Sequence, residues 1–223
     1  AAITAWYASK VALTELNVPR AEVVAPEVYQ VAANHNYIDE RIHAKLAQLN
    51  IAPAELCDDT TFIRRAFIDT LGILPTPEEV SAFVEDGAGD KRAALIDTIL
   101  ERPEFVDYWT YQWSDLLLIS SKNLKDSKEL NAFYRFVREA VEENRPWDAF
   151  VRDIVTATGN TQQNGAANYF VLHREIPDLT ETTSQAFLGM SITCARCHNH
   201  PLEKWTQDQY YGFANLFSRV RVK

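Results

Sequence analysis

The chain has 223 residues, 47% of them apolar and 11% aromatic, and a formal net charge of -9. That is enough apolar surface for one packed interior. Seven glycines argue against a turn-rich all-β fold, and the acidic balance argues against nucleic acid, whose phosphates need Lys and Arg. No apolar run reaches the roughly 18 residues of a membrane-spanning helix. Ala1 is not followed by a basic-then-apolar signal region, so the chain is expected to be a processed or excised piece of a longer protein.

Residues 1–33 mix alternating and helical patterns and contain Pro19 and Pro26, which reads as two short strands or an extended arm. From 34 to 223 the signal is helical. Ile38, Ile42, Leu46 and Leu49 recur at a spacing of three or four. Asp59 is expected to cap a helix bearing Phe62, Ile63, Phe67 and Leu71, stopped by Gly72. Thr76-Pro77-Glu78-Glu79 is a capping box with proline at the first helical position, and it places Val80, Phe83 and Val84 inward. Lys91 to Leu100 forms the next helix, and Phe105, Trp109, Trp113, Leu116 and Leu117 mark an aromatic one. Phe133, Phe136, Val137 and Val141 repeat the helical spacing, and Pro146 opens a helix through Phe150 and Ile154. The polar stretch from Gly159 to Asn168 reads as a loop. Thr180 to Met190 reads as a helix leading into Cys194. Thr206 and Gln209 make a second capping box, with Tyr210, Phe213, Ala214 and Phe217 on one face. The expectation is a mainly α single domain of roughly seven to nine short helices with a short extended or β N-terminal arm.

The chemistry-bearing motif is Cys194-Ala195-Arg196-Cys197-His198, the C-x-x-C-H pattern of haem c attachment. Two thiols three residues apart reach the two vinyl groups of one porphyrin, and the following imidazole meets the iron. Phe187, Met190, Ile192, Trp205, Tyr210, Tyr211 and Phe213 are available as an apolar surround, although aromatic residues at helical spacing are ordinarily core whatever the core encloses. Other uses of the pattern stay open. A thioredoxin-like pair wants an α/β frame. Zinc on Cys194, Cys197, His198 and His200 would crowd four ligands into seven residues. Two buried thiols with no cofactor are the bland alternative. Cys57, outside the motif, reads as a small buried apolar residue.

The second axial position decides between an electron carrier and an open site. His35, His43, His173, His200 and Met190 are the candidates. His200 stands on the same side as His198 and suits a hydrogen bond to a propionate or packing beside Pro201. Met190, one turn before Cys194, is also proximal if the helix is continuous. His173 follows a loop and can fold back, which ranks it first; His43 comes second. Arg196 and Lys204 are candidates to pair with propionates, against the default of solvated surface charges. No Gly-rich phosphate loop, G-x-S-x-G or H-E-x-x-H is present.

Phe187-Leu188-Gly189, the run from Cys194 to Pro201, Trp205-Thr206-Gln207-Asp208 and Tyr210-Tyr211-Gly212 together resemble the planctomycete-type cytochrome c-like domain of unknown function. Arg64-Arg65, Leu74-Pro75-Thr76-Pro77, Tyr108-Trp109 and Thr156-Ala157-Thr158-Gly159 fit the same pattern. The resemblance spans about residues 37–219 and is most specific over 145–217. It implies haem attachment and a role in one-electron transfer, in line with one covalent haem c on Cys194 and Cys197, His198 as axial ligand, and Arg196, His200 and Trp205 as the haem surround read from the residues. It also implies a periplasmic or cell-surface location in a large exported protein. The partners expected for an electron-transfer domain are a redox partner protein or other domains of the same parent chain. Residues 1–33 would be the tail of a preceding β-rich module. The family pattern fixes no histidine at 173, which keeps a five-coordinate iron open. Three functional readings follow: a mono-haem electron-transfer domain, a haem enzyme or sensor with an open distal site for peroxide or a diatomic gas, and a zinc-stabilised structural or binding module.

Overall fold

The computed structural model describes residues 2–7, 10–31 and 36–222. The protein is mainly helical, with eleven α-helices among the described residues. By its internal contacts the chain divides into two units, residues 1–57 with 199–204, and residues 58–198 with 205–223.

In the first unit, β1 (Ala2–Tyr7) pairs antiparallel with β2 (Lys10–Glu15), in a register that sets Ile3 opposite Thr14 and Ala5 opposite Ala12. Two helices follow, α1 (Pro26–Val31) and α2 (Tyr37–Gln48). The Asn36 side chain caps α2 by accepting from the Ile38 amide at 2.8 Å, as a short acceptor at a helix start should. Asn50, in the left-handed region at φ 52°, donates through Nδ2 to the Arg20 carbonyl at 2.9 Å. His43 lies on α2, Cys57 is half-buried at the end of the unit, and His35 is outside the described residues.

The second unit opens with α3 (Asp59–Leu71), α4 (Pro77–Glu85) and α5 (Lys91–Leu100). Ile63, Phe67 and Leu71 of α3 recur at helical spacing and meet Phe83 and Ile99 in one buried cluster. The cap of α3 is Asp58 rather than Asp59: its Oδ1 accepts from the Thr61 amide at 2.7 Å. Asp59 is the first helical residue and instead holds Lys91 and Arg92, each at 2.7 Å. The capping box of α4 forms as its residues dictate, with Thr76 and Glu79 exchanging hydrogen bonds. Val84, expected inward, is exposed, because Val80 and Phe83 already occupy the core-facing stripe of this nine-residue helix.

The larger cluster is built by α6 (Pro103–Leu116), α7 (Ser127–Glu142), α8 (Trp147–Val155), α9 (Asn168–Leu172) and α10 (Ile176–Leu188). Phe133, Val137 and Ala140 give α7 a continuous apolar stripe, and Phe150 and Ile154 of α8 lie in the same cluster. Trp109 donates its indole N–H to the Thr70 carbonyl at 3.2 Å, tying α6 to α3. The stretch read as a loop ends early: residues 165–167 form a 3-10 turn that runs into α9. Gly165 permits that turn to lie on α7, since a Cβ there would stand 2.1 Å from the Ala132 carbonyl oxygen. The last helix is α11 (Gln207–Ala214), opened by the expected Thr206–Gln209 capping box.

Two glycines separate backbone constraint from ordinary helix propensity. Gly72 ends α3 at φ 69°, and a Cβ there would fall 2.3 Å from the Tyr108 ring. Gly72→Ala should therefore destabilise the protein by about 2 kcal/mol or more, since the left-handed conformation alone costs an L-residue roughly 1–2 kcal/mol. Gly212, inside α11 with nothing within 4 Å of its missing Cβ, should gain about 0.5–1 kcal/mol on becoming Ala. Urea unfolding of the two variants should give shifts of opposite sign.

Candidate functional site

Cys194, Cys197 and His198 all lie in the second unit, and all three are exposed. The segment that carries them is not a continuation of α10. Gly189 takes the left-handed conformation at φ 62° and ends that helix. The Met190 amide returns to the Ser184 carbonyl at 3.1 Å, and the Ser184 hydroxyl donates to the Met190 carbonyl at 2.8 Å. This clasp redirects the chain: the helix expected over Thr180 to Met190 ends at Leu188, and the motif begins on a separate 3-10 turn, Thr193–Arg196.

The turn is oriented by what it buries. Ala195 has no exposed surface, and Ile192 is buried beside it. Both pack with Tyr210 and Ala214 of α11, flanked by Met190, Trp205 and Phe213. With Ala195 inward, Cys194 and Cys197 on either side face outward. The backbone is fixed at one carbonyl: Arg196 O accepts from Gln207 Nε2 at 3.1 Å and from the Tyr211 hydroxyl at 3.2 Å. Gln207 and Tyr211 stand four apart on α11, where side chains share a face.

The Arg196 guanidinium lies 3.8 Å from Glu181 of α10, and Tyr210 donates its hydroxyl to the same carboxylate at 3.0 Å. Burial, reinforced by the Glu181 carboxylate, pushes the Tyr210 hydroxyl well above the ordinary tyrosine value. Tyr210 therefore stays protonated and serves as a fixed donor. Glu181 was not singled out from sequence; Gln207, Tyr210 and Tyr211 were, as apolar surround or as family-like residues, but not as hydrogen-bonding supports of the turn. The one local signal for that role is the Gln207–Tyr211 spacing directly after the motif.

The remaining predicted residues are dispersed. Trp205 is half-buried in the cluster under the turn, Phe187 packs into the larger core, and Leu188 and Tyr211 are exposed. His200 belongs to the first unit, where its Nδ1 accepts from the amides of Leu202 at 3.2 Å and Glu203 at 2.9 Å. That is a turn cap formed by an imidazole. Lys204 is exposed in the same segment.

His173 ends α9 with 4% of its surface exposed. Its ring meets Tyr169 edge-on at 4.9 Å. Its Nε2 has no hydrogen-bond partner among the described residues. Tyr169, whose hydroxyl shares a 2.8 Å hydrogen bond with Thr183, is pushed up to about 12 by burial. Among the described residues, no group of three or more His, Cys, Asp or Glu side chains is arranged to hold a metal ion. Two cavities of the second unit are lined by other residues: one of about 660 Å³ between 155–161 and 216–222, and one of about 330 Å³ among α6, α7 and α8.

The fold is thus a mainly helical one that presents a C-x-x-C-H turn at its surface. The family model of a protein of unknown function, DUF1549 (PSCyt2), matches residues 37–222, and the chain belongs to that family. No curated protein and no solved structure matches it. Among the described residues, no helix is long and apolar enough to cross a membrane.

Burial lowers the His173 pKa below its ordinary 6.5, with Asp178 opposing the shift. The folded state therefore holds this imidazole neutral where the unfolded chain already binds a proton. Stability should be intact above pH 6.5 and fall as the pH drops below it, until the folded-state value is also passed. Urea midpoints measured from pH 7 to pH 5 should decline for the native protein and decline less for His173→Leu.

Proposed function

We propose that this domain is a mono-haem c-type cytochrome that passes single electrons within a larger exported protein. The observation that carries the reading is the split of the motif: Ala195 is buried without residue while Cys194, Cys197 and His198 are exposed around it. An attachment turn requires both thiols accessible to a bulky porphyrin and their backbone already fixed. The residues present fit the proximal half of such a group. Cys194 and Cys197 would each add across a vinyl group, sulfur bonding one carbon and the thiol proton going to the other. His198 would ligate one axial position. A bound haem would supply a one-electron iron couple.

The chain's own contribution is support. Tyr210, Ile192 and Ala214 hold the turn from beneath, and Gln207 and Tyr211 clamp its backbone. Arg196, half-exposed and close to Glu181, would place a cation near a propionate. The exported location follows the resemblance of the 145–217 region, and one-electron transfer calls for a redox partner, either a separate protein or another domain of the same chain.

The second axial ligand divides the electron carrier from an open-site haem enzyme or sensor. His173 supports the carrier, because a buried imidazole whose Nε2 lacks a hydrogen-bond partner among the described residues is a costly arrangement that a ligand would relieve. Protein matured in a periplasm should show a Soret band and stain for haem after denaturing electrophoresis, and the double variant Cys194→Ala, Cys197→Ala should lose the stain. Colourless matured protein that retains zinc would replace this reading with the structural-module one. Insensitivity of the reduced spectrum to carbon monoxide, converted to sensitivity by His173→Ala, assigns His173 to the iron; sensitivity in the native protein assigns an open site.

A further inference from the structure

The cavity of about 660 Å³ in the second unit lies between the stretch 155–161, which follows α8, and the stretch 216–222. Arg219 and Arg221 line one wall, and among the described residues no Asp or Glu lines any part of it, in a chain with 31 acidic and 22 basic side chains. Arg92, Arg102, Arg138 and Arg145 each meet a carboxylate. Arg219 meets none among the described residues. Arg221 uses one nitrogen on the carbonyls of Ser218 at 2.9 Å and Val220 at 2.7 Å. We propose that this cavity binds the tetrahedral oxyanion of an organic ester, a phosphate or a sulfate.

The facing wall supplies backbone donors. Gly159, at φ 97°, has no side chain and lines the cavity with its main chain. The Thr158 carbonyl accepts from Asn164 Nδ2 at 3.0 Å, and the Asn160 carbonyl accepts from the Gln163 and Asn164 amides at 3.1 and 2.8 Å. Gln163 and Asn164 stand outside the lining. In a trans peptide the N–H points opposite to the carbonyl, and no described peptide bond is cis. The amides of Gly159 and Thr161 share peptide planes with those two carbonyls. They therefore turn away from 163–164, to the side where the cavity lies. Neither donates to a group among the described residues. Backbone amides left open in a turn are a recurrent anion-binding device.

The two walls select the shape of the anion. A carboxylate presents two oxygens in one plane and is filled by a single guanidinium fork. A tetrahedral group directs its oxygens several ways, which suits arginines on one side and amides on the other. A cationic ligand would meet two guanidinium groups and no compensating acid. Phe170 and Ala167 are buried and add apolar lining. The volume lies within the roughly 300–1,000 Å³ usual for small-molecule pockets and exceeds what a bare ion fills, so the oxyanion carries an organic body. The site shares no residue with the Cys194–His198 turn, and its test is independent of the haem reading.

Phenyl phosphate and phenyl sulfate are titrated calorimetrically into the full matured chain, with benzoate and inorganic phosphate for comparison. Saturable binding of at least one ester is expected, tighter than that of benzoate or of inorganic phosphate. Arg219→Gln should weaken it roughly tenfold or more with the melting temperature unchanged, because Arg219 is exposed. Arg64→Gln removes the same charge from an exposed position of α3 and should leave binding within about twofold, since salt screens distant charges. Absence of saturable binding by both esters overturns the proposal. So does benzoate or inorganic phosphate bound as tightly as the better ester, or equal weakening by the two variants, which marks a diffuse field in place of a site.

Discussion

A segment with few backbone hydrogen bonds of its own must be held by its neighbours, and the stretch from Gly189 to His198 is under that constraint. It follows a helix that Gly189 terminates, and its one regular element is a single 3-10 turn. Its position comes from side chains of the flanking helices. Ser184 clasps Met190, Tyr210 and Ala214 receive Ile192 and Ala195, and Gln207 with Tyr211 holds the Arg196 carbonyl. Each support reaches the turn from α10 or α11. The pairing of these two helices is what gives the motif a fixed geometry.

That arrangement explains why the exposed thiols belong to a rigid turn. Burial of Ala195 leaves no room for a larger side chain at the middle of the motif, and overpacking there would cost about 1–3 kcal/mol and turn the cysteines. The Glu181–Tyr210 hydrogen bond adds a second fixed point, since a tyrosine kept protonated by burial and by a carboxylate is the donor in that bond. On the proposed haem reading, the protein's work at this face is positioning, and the iron's character is set by whatever meets its other face.

Much of the helical order was legible because its signals are local. Both capping boxes, Thr76 with Glu79 and Thr206 with Gln209, form as their spacing requires. The misses have physical causes. Asp59 was expected to cap α3, but the preceding Asp58 has the extended backbone a cap requires and takes that place. The stretch ending at Asn168 read as loop because it is polar, yet Asn168 is fully buried, its Nδ2 satisfied by the carbonyls of Thr161 at 2.8 Å and Gly165 at 3.0 Å. No periodicity reports a polar side chain buried with its own partners. The motif residues were visible as a pattern, but the network beneath them was not, because Glu181 and Arg196 meet only once the Gly189 turn has folded α10 back.

The role proposed for the Cys194–Cys197 turn is to carry a covalent group through both sulfurs. Peptide mass spectrometry of periplasm-matured protein, digested after alkylation, tests it directly. One peptide spanning Cys194 to His198 is expected, with the added mass of a single haem and neither cysteine alkylated. Recovery of that peptide with both cysteines alkylated and no haem would contradict it.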